Sequence, residues 1–162
     1  MRRWFNLNEV DSNLTPSVVA IGVFDGVHRG HQDLISRAKD VATSKGISLI
    51  AVTFDPHPRG VVGSNPPLAL ASLDFRLTLL ERCGVDATLV LSFTKELASL
   101  SPDEFLKKVL VDHLHAKHVV VGDNFKFGFK AAGDTNYLAE FGKEKLRIDV
   151  VNGKRLNPKS QV

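Results

Sequence analysis

The residues best equipped for chemistry in this 162-residue chain fall in three short segments. The first is Gly22-Val23-Phe24-Asp25-Gly26-Val27-His28-Arg29-Gly30-His31, which sets three glycines among two histidines. Glycine lets a backbone turn tightly and approach a ligand closely. His28 and His31 are three apart where a helical pattern begins, so both rings can face one side. An opening helix presents unpaired N–H groups and a positive partial charge, which suit a phosphate. Two imidazoles there would add donors for a phosphoryl oxygen whose charge grows in the transition state. Neither GxxxxGK[ST] nor GxGxxG is present, so Walker-type and nicotinamide chemistry are not favoured. The two histidines can also be read as a zinc pair, a reading weakened by the lack of a third histidine nearby. A glycine-rich turn with surface histidines would account for one imidazole but poorly for both.

The second segment, Thr53-Phe54-Asp55-Pro56-His57-Pro58, is a rigid polar turn, because each proline restricts the residue before it to extended conformations. The bland reading is a stiff loop that ends a strand. The third, Gly122-Asp123-Asn124-Phe125-Lys126-Phe127-Gly128-Phe129, interleaves aromatics with a base. That pattern superficially suggests the RNA-binding strand of an RRM, but such a domain needs an antiparallel sheet in βαββαβ order. Aromatics close to a phosphate site suit stacking on a planar heterocycle instead. At least one of these phenylalanines reads as ordinary core.

Elements must position these segments. Val18–Val23, Ile47–Phe54, Ala87–Phe93, His118–Gly122 and Leu146–Val151 are short, β-branched and mostly unalternating, as strands covered on both faces should be. Between them, His31–Lys45 places Leu34, Ile35, Ala38, Val41 and Ala42 on one helical face, with Gly46 as a stop. Asp74–Cys83 carries Leu77, Leu80 and Cys83. Pro102–His115 opens with Ser101, Pro102 and Glu104, a capping box with proline at the first helical position, and would bury Phe105, Leu106, Val109, Leu110 and Leu114. A short helix is expected over Thr135–Gly142, presenting Tyr137, Leu138 and Phe141. Strands alternating with such helices imply βαβ units with right-handed crossovers. The fold class is α/β, a Rossmann-like doubly wound parallel sheet of about five strands. In such sheets ligands bind beyond the carboxyl ends of the strands, and all three segments sit at such ends.

The organisation expected is an N-terminal arm over residues 1–15, a domain over 16–151 and a tail over 152–162. Arm and tail read as less ordered on composition, with Trp4 pinning the arm. His113, His115 and His118 flank a helix end and read as surface residues; Cys83 reads as core.

Composition narrows the function classes. With 43% hydrophobic and 24% charged residues the chain is globular in character. Its net charge of +3 is too small to argue for nucleic acid. No apolar run approaches the roughly 18 residues of a membrane span. The N-terminus does not read as a signal peptide. The single cysteine fits a reducing, cytoplasmic setting.

GVFDGVHRGH, TFDPHP and VVGDNFKFG, in this order and spacing, resemble the N-terminal FAD synthetase module of the bacterial bifunctional riboflavin kinase/FMN adenylyltransferase family, and its actinobacterial branch most closely. The likeness runs from about Arg2 to about Val151. His28-x-Gly30-His31 alone would indicate only the wider nucleotidyltransferase superfamily. The resemblance implies that ATP and FMN give FAD and pyrophosphate, with magnesium, by direct in-line attack. His28 and His31 would be the catalytic pair on the triphosphate. Gly22, Phe24, Asp25, Gly26 and Gly30 would complete the ATP site, and Asp55, His57, Asn124, Phe125, Phe127 and Phe129 the flavin side. No metal residue is assigned, since magnesium is held largely by phosphates and water. The family continues into a Ser-Ser-Thr-x-Ile/Val-Arg segment and a riboflavin kinase domain, neither of which is found in this sequence. Kinase activity is therefore not expected, and losing an oxyanion donor typically costs about 10²–10³-fold in rate. The alternatives are a flavin- or ATP-binding module without catalysis, and a nucleotidyltransferase with another phosphate-bearing acceptor.

Overall fold

A computed structural model describes residues 1–22, 24, 29–55, 72–92, 95–122, 137–138, 140 and 147–151. Among these, six strands make one sheet: β1 (Arg2–Trp4), β2 (Ser17–Ile21), β3 (Ser48–Phe54), β4 (Ala87–Leu91), β5 (Ala116–Gly122) and β6 (Arg147–Val151). Their spatial order is β1-β4-β3-β2-β5-β6, and every neighbouring pair is parallel. From β2 the chain steps outward through β3 and β4, then returns across β2 to β5 and β6. This is the doubly wound arrangement, with its reversal of direction between β2 and β5.

The strands are apolar on both sides because both faces are covered. On one face Val19, Ile21, Ile50, Val52, Phe54, Leu89, Val119 and Val121 join Phe105, Leu106, Val109 and Leu110. On the other, Val18, Ala20, Leu49, Ala51, Val90 and Val120 meet Leu34, Ile35, Ala38 and Ala42 of α1 (Arg29–Lys45) and Leu77 and Leu80 of α2 (Leu73–Arg82). Successive strand residues alternate between the two clusters, as the period of two requires. The helix α1 stops at Gly46, whose φ of +67° suits glycine. The Gly46 N–H donates to the Thr43 carbonyl (3.2 Å) and that of Ile47 to Ala42 (3.1 Å), closing the last turn as a Schellman cap.

After the short helix α3 (Lys95–Ala98), α4 (Pro102–Phe105) begins with the expected capping box. The Ser101 hydroxyl accepts from the Glu104 N–H (3.1 Å), and the Glu104 carboxylate accepts from the Ser101 N–H (2.8 Å). The Ser101 N–H, donated to the carboxylate, holds the Glu104 carboxyl below the usual carboxylate range. Beyond Phe105 the chain continues as a π-helix over Leu106–His113, where α-helix to His115 is expected. Its wider turn shows in the Leu114 N–H, which donates to the Val109 carbonyl five residues back (3.1 Å); the His113 ring Nδ1 also meets the Lys108 carbonyl (2.7 Å). His115 then takes a left-handed φ of +47°, and the helix ends. Tyr137, Leu138 and Glu140 are helical, as the expected Thr135–Gly142 element requires, and the remainder of that stretch lies outside the described residues. The Tyr137 hydroxyl donates to Asp103, which pushes its pKa up.

Two expectations are corrected. Residues 1–15 are not a loosely ordered arm: Arg2, Arg3 and Trp4 pair with Ala87, Thr88 and Leu89, making a sixth strand. The outer edge of β4 offers unpaired backbone groups, and the Trp4 ring enters the core beside it, 3% exposed. Arg2 to Asp11 (3.1 Å) and Arg3 to Asp74 (3.3 Å) tie the same segment down at the surface. His118 is not a surface residue. Strand β5 starts at Ala116 rather than at His118, so His118 lies inside the strand between Val18 and Arg147 and is buried. Cys83 is half-buried, and burial raises its thiol pKa. The tail over 152–162 lies outside the described residues.

Trp4→Ala should destabilise the fold by about 3–5 kcal/mol in urea denaturation, the usual cost of emptying a buried aromatic position. A change below about 0.5 kcal/mol, the range of ordinary surface substitutions, would show that β1 is a mere appendage.

Candidate functional site

In a parallel sheet all carboxyl ends lie on one edge, so topology alone decides which loops meet. The three chemical segments leave β2, β3 and β5, which are consecutive in the order β3-β2-β5. Two inter-strand spacings separate the outer pair, about 10 Å in all. The centre of this trio flanks the switch point between β2 and β5, where doubly wound folds place ligands.

At the exit of β2, the Gly22 N–H donates to the Val52 carbonyl (3.1 Å) and so extends the ladder one residue past Ile21. Phe24 adopts φ +57°, a left-handed conformation that costs a residue with a Cβ about 1–2 kcal/mol. Its ring is buried in the cluster with Leu34, Ile35 and Val120, and burial of that size offsets the strain. A Cβ on Gly22 would stand 3.0 Å from two ring atoms of Phe24. Gly22 is thus required by its neighbour's ring. Phe24 itself, expected on the ATP path, points its side chain into the core, which leaves only its main chain for a ligand.

The helix α1 opens at Arg29, so Gly30 and His31 occupy its first turn, where N–H groups lack helical partners. Val23, Asp25, Gly26 and His28 lie outside the described residues.

At the exit of β3, Asp55 is half exposed, and its N–H donates to the Leu91 carbonyl (3.1 Å). Its carboxylate accepts from Arg76 of α2, Nη2 to Oδ1 at 3.4 Å. Arg76 is a buried cation that lies in none of the three segments. Its signal in the sequence is positional: Arg76 precedes Leu80 by four, on the apolar stripe of its helix, where a charge needs a reason. His57 lies outside the described residues, as do Asn124, Phe125, Phe127 and Phe129 beyond Gly122, the last residue of β5. Among the described residues no three His, Cys, Asp or Glu side chains are grouped to hold a metal ion, and no helix is long and apolar enough to cross a membrane.

The fold defines a doubly wound α/β domain of the Rossmann-like kind. Comparison with known proteins gives the family. The FAD synthetase family model matches residues 10–160, and the chain belongs to that family. It is 34% identical over 151 residues to the bifunctional riboflavin kinase/FMN adenylyltransferase of Listeria monocytogenes, covering 92% of this chain and 45% of that protein. It is 39% identical over 134 residues to the protein of the same name from Pseudomonas fluorescens, covering 80% of this chain and 43% of that protein. The chain thus spans less than half the length of these curated relatives. Among solved structures, a protein from Streptococcus pneumoniae described as a macrolide-efflux protein superposes with a TM-score of 0.79 at 26% identity, over 93% of this chain and 50% of that one.

Gly22→Ala should destabilise the protein by about 1–3 kcal/mol, because the buried Phe24 ring has little room to yield. The penalty should shrink when Phe24→Leu is combined with it, as coupled neighbours do in a double-mutant cycle. Stabilisation by Gly22→Ala, as seen where alanine fits freely, would contradict the contact.

Proposed function

We propose that this chain is an FMN adenylyltransferase module that joins AMP from ATP to FMN, giving FAD and pyrophosphate. The observation that carries it is the adjacency of β3, β2 and β5 at the switch point, each followed in sequence by one of the three segments that resemble the family, all within the matched residues 10–160. An FMN phosphate oxygen attacks the α-phosphorus of ATP. The bond from that phosphorus to the oxygen bridging toward the β-phosphate breaks, and pyrophosphate leaves. No covalent enzyme intermediate is needed.

The assigned roles follow the chemistry of each segment. Main-chain groups from Gly22 to Gly30, with Phe24, Asp25 and Gly26 between them, cradle the nucleotide. The first turn of α1 supplies N–H donors and a positive partial charge for its phosphates. His28 and His31 neutralise charge on the transferring and leaving phosphates. Asp55, His57 and Asn124 are polar contacts on the acceptor side, and Phe125, Phe127 and Phe129 pack on the isoalloxazine. Magnesium enters with the ATP, on phosphate oxygens and water, and needs no dedicated cage of protein ligands. Fusion to a riboflavin kinase region, named in the relatives' descriptions, is the arrangement we propose for the longer protein, in the cytoplasm.

The protein mixed with FMN, ATP and Mg²⁺ should yield FAD, read by chromatography. Flavin fluorescence quenching without pyrophosphate release would instead favour a binding module, and ATP turnover on a different acceptor would move the reading to another nucleotidyltransferase. His28→Ala and His31→Ala should each lower turnover by about 10²-fold or more. Unchanged rates in those variants would refute their roles.

A further inference from the structure

One side chain grips three consecutive residues at the edge where the acceptor is proposed to bind. Arg76 Nη1 donates to the Thr53 hydroxyl (3.3 Å) and to the Phe54 carbonyl (3.4 Å), while Nη2 donates to Asp55 Oδ1 (3.4 Å). The Arg76 side chain is 7% exposed and that of Asp55 48%, so a buried cation meets a carboxylate that reaches solvent. The exit is held from the other side as well, by the Asp55 N–H on the Leu91 carbonyl. Together these contacts fix Thr53, Phe54 and Asp55 at the end of β3.

Stability alone does not call for this arrangement. A buried charge loses its hydration, and an apolar side chain of similar volume usually serves a core as well or better. Leu77 and Leu80 on the same helix already supply apolar packing. What an arginine adds is a planar fork of donors that can hold several acceptors in one geometry, which neither a lysine nor a leucine can do. Its charge also offsets that of Asp55, a carboxylate that would otherwise repel a phosphate-bearing acceptor at this edge.

We infer that Arg76 is a positioning residue for the acceptor side of the site: it holds Asp55 and the β3 exit in the orientation that receives a phosphate-bearing flavin, without touching the nucleotide that the β2–α1 segment binds. This rests on the flavin reading above. The discriminating feature is ligand selectivity, since general loss of packing would weaken both sides alike.

Arg76→Met and Arg76→Lys are compared with the unaltered protein by thermal melting, FMN titration through flavin fluorescence, and ATP titration by calorimetry. Arg76→Met should remain cooperatively folded, bind FMN about tenfold more weakly or worse, and bind ATP within about twofold of the original, as loss of charge-assisted contacts implies. Arg76→Lys, with one ammonium in place of the fork, should fall between the two for FMN and leave ATP unchanged. If Arg76→Met does not fold, Arg76→Lys decides alone by the same criterion. Unchanged FMN affinity in a folded variant overturns the proposal, and so does an equal loss for both ligands. Unaltered protein that quenches no flavin fluorescence overturns the flavin reading itself, an outcome distinct from either.

Discussion

Parallel pairing of β2 with both β3 and β5 is the constraint on which the rest of the molecule depends. In register, Val19 lies opposite Ile50 on one side and Val119 on the other. Because all three strands run the same way, their exits share one edge, and because β2 is central, its exit lies between the other two. No loop has to reach far to bring the three motifs together. The two core clusters exist to hold this central trio: residues of β2, β3 and β5 alternate between them, and α1, α2 and the π-helix cover the two sides. Loss of packing on either face would therefore reach the site through the strand ends.

The edge shows local conformations that packing alone does not favour. Phe24 sits in a left-handed conformation, with its ring pressed against Gly22. Arg76 is a buried cation spanning the last residues of β3 and Asp55. Both lie within a few residues of the proposed ligand crevice, where strain and buried charge are most often maintained. At the end of β2 a glycine makes room for a core aromatic, and at the end of β3 an arginine holds Thr53, Phe54 and Asp55. Function here is a property of how strands end.

Much of this was legible in the sequence. Strands β2 to β6 announced themselves as β-branched runs, the capping box at Ser101 and Glu104 is as expected, and Gly46 stops α1. The Rossmann-like architecture follows from strands alternating with helices, and the family from three motifs at strand ends. What escaped has physical reasons. A three-residue strand such as Arg2–Trp4 carries too little pattern to be read, and only the open edge of β4 makes it a strand. His118 looked like a helix-end residue because nothing local marks the start of β5. The π-helical turns of Leu106–His113 have the same apolar stripe as an α-helix, so periodicity does not separate them. The burial of the Phe24 ring beside Gly22 has no signal in the motif. Of the site, the residues with described geometry are Gly22, Phe24, the backbone of Gly30 and His31, and Asp55.

The central claim is that flavin and nucleotide meet over the carboxyl ends of β3, β2 and β5. The most direct measurement is an NMR titration of isotopically labelled protein with FMN and, separately, with a non-hydrolysable ATP analogue and Mg²⁺. Amide shifts should concentrate at Gly22 and the first turn of α1 for the nucleotide, and at Asp55 and Gly122 for FMN. Shifts confined to β1, the outer face of α2 or the amino ends of the strands would contradict the account.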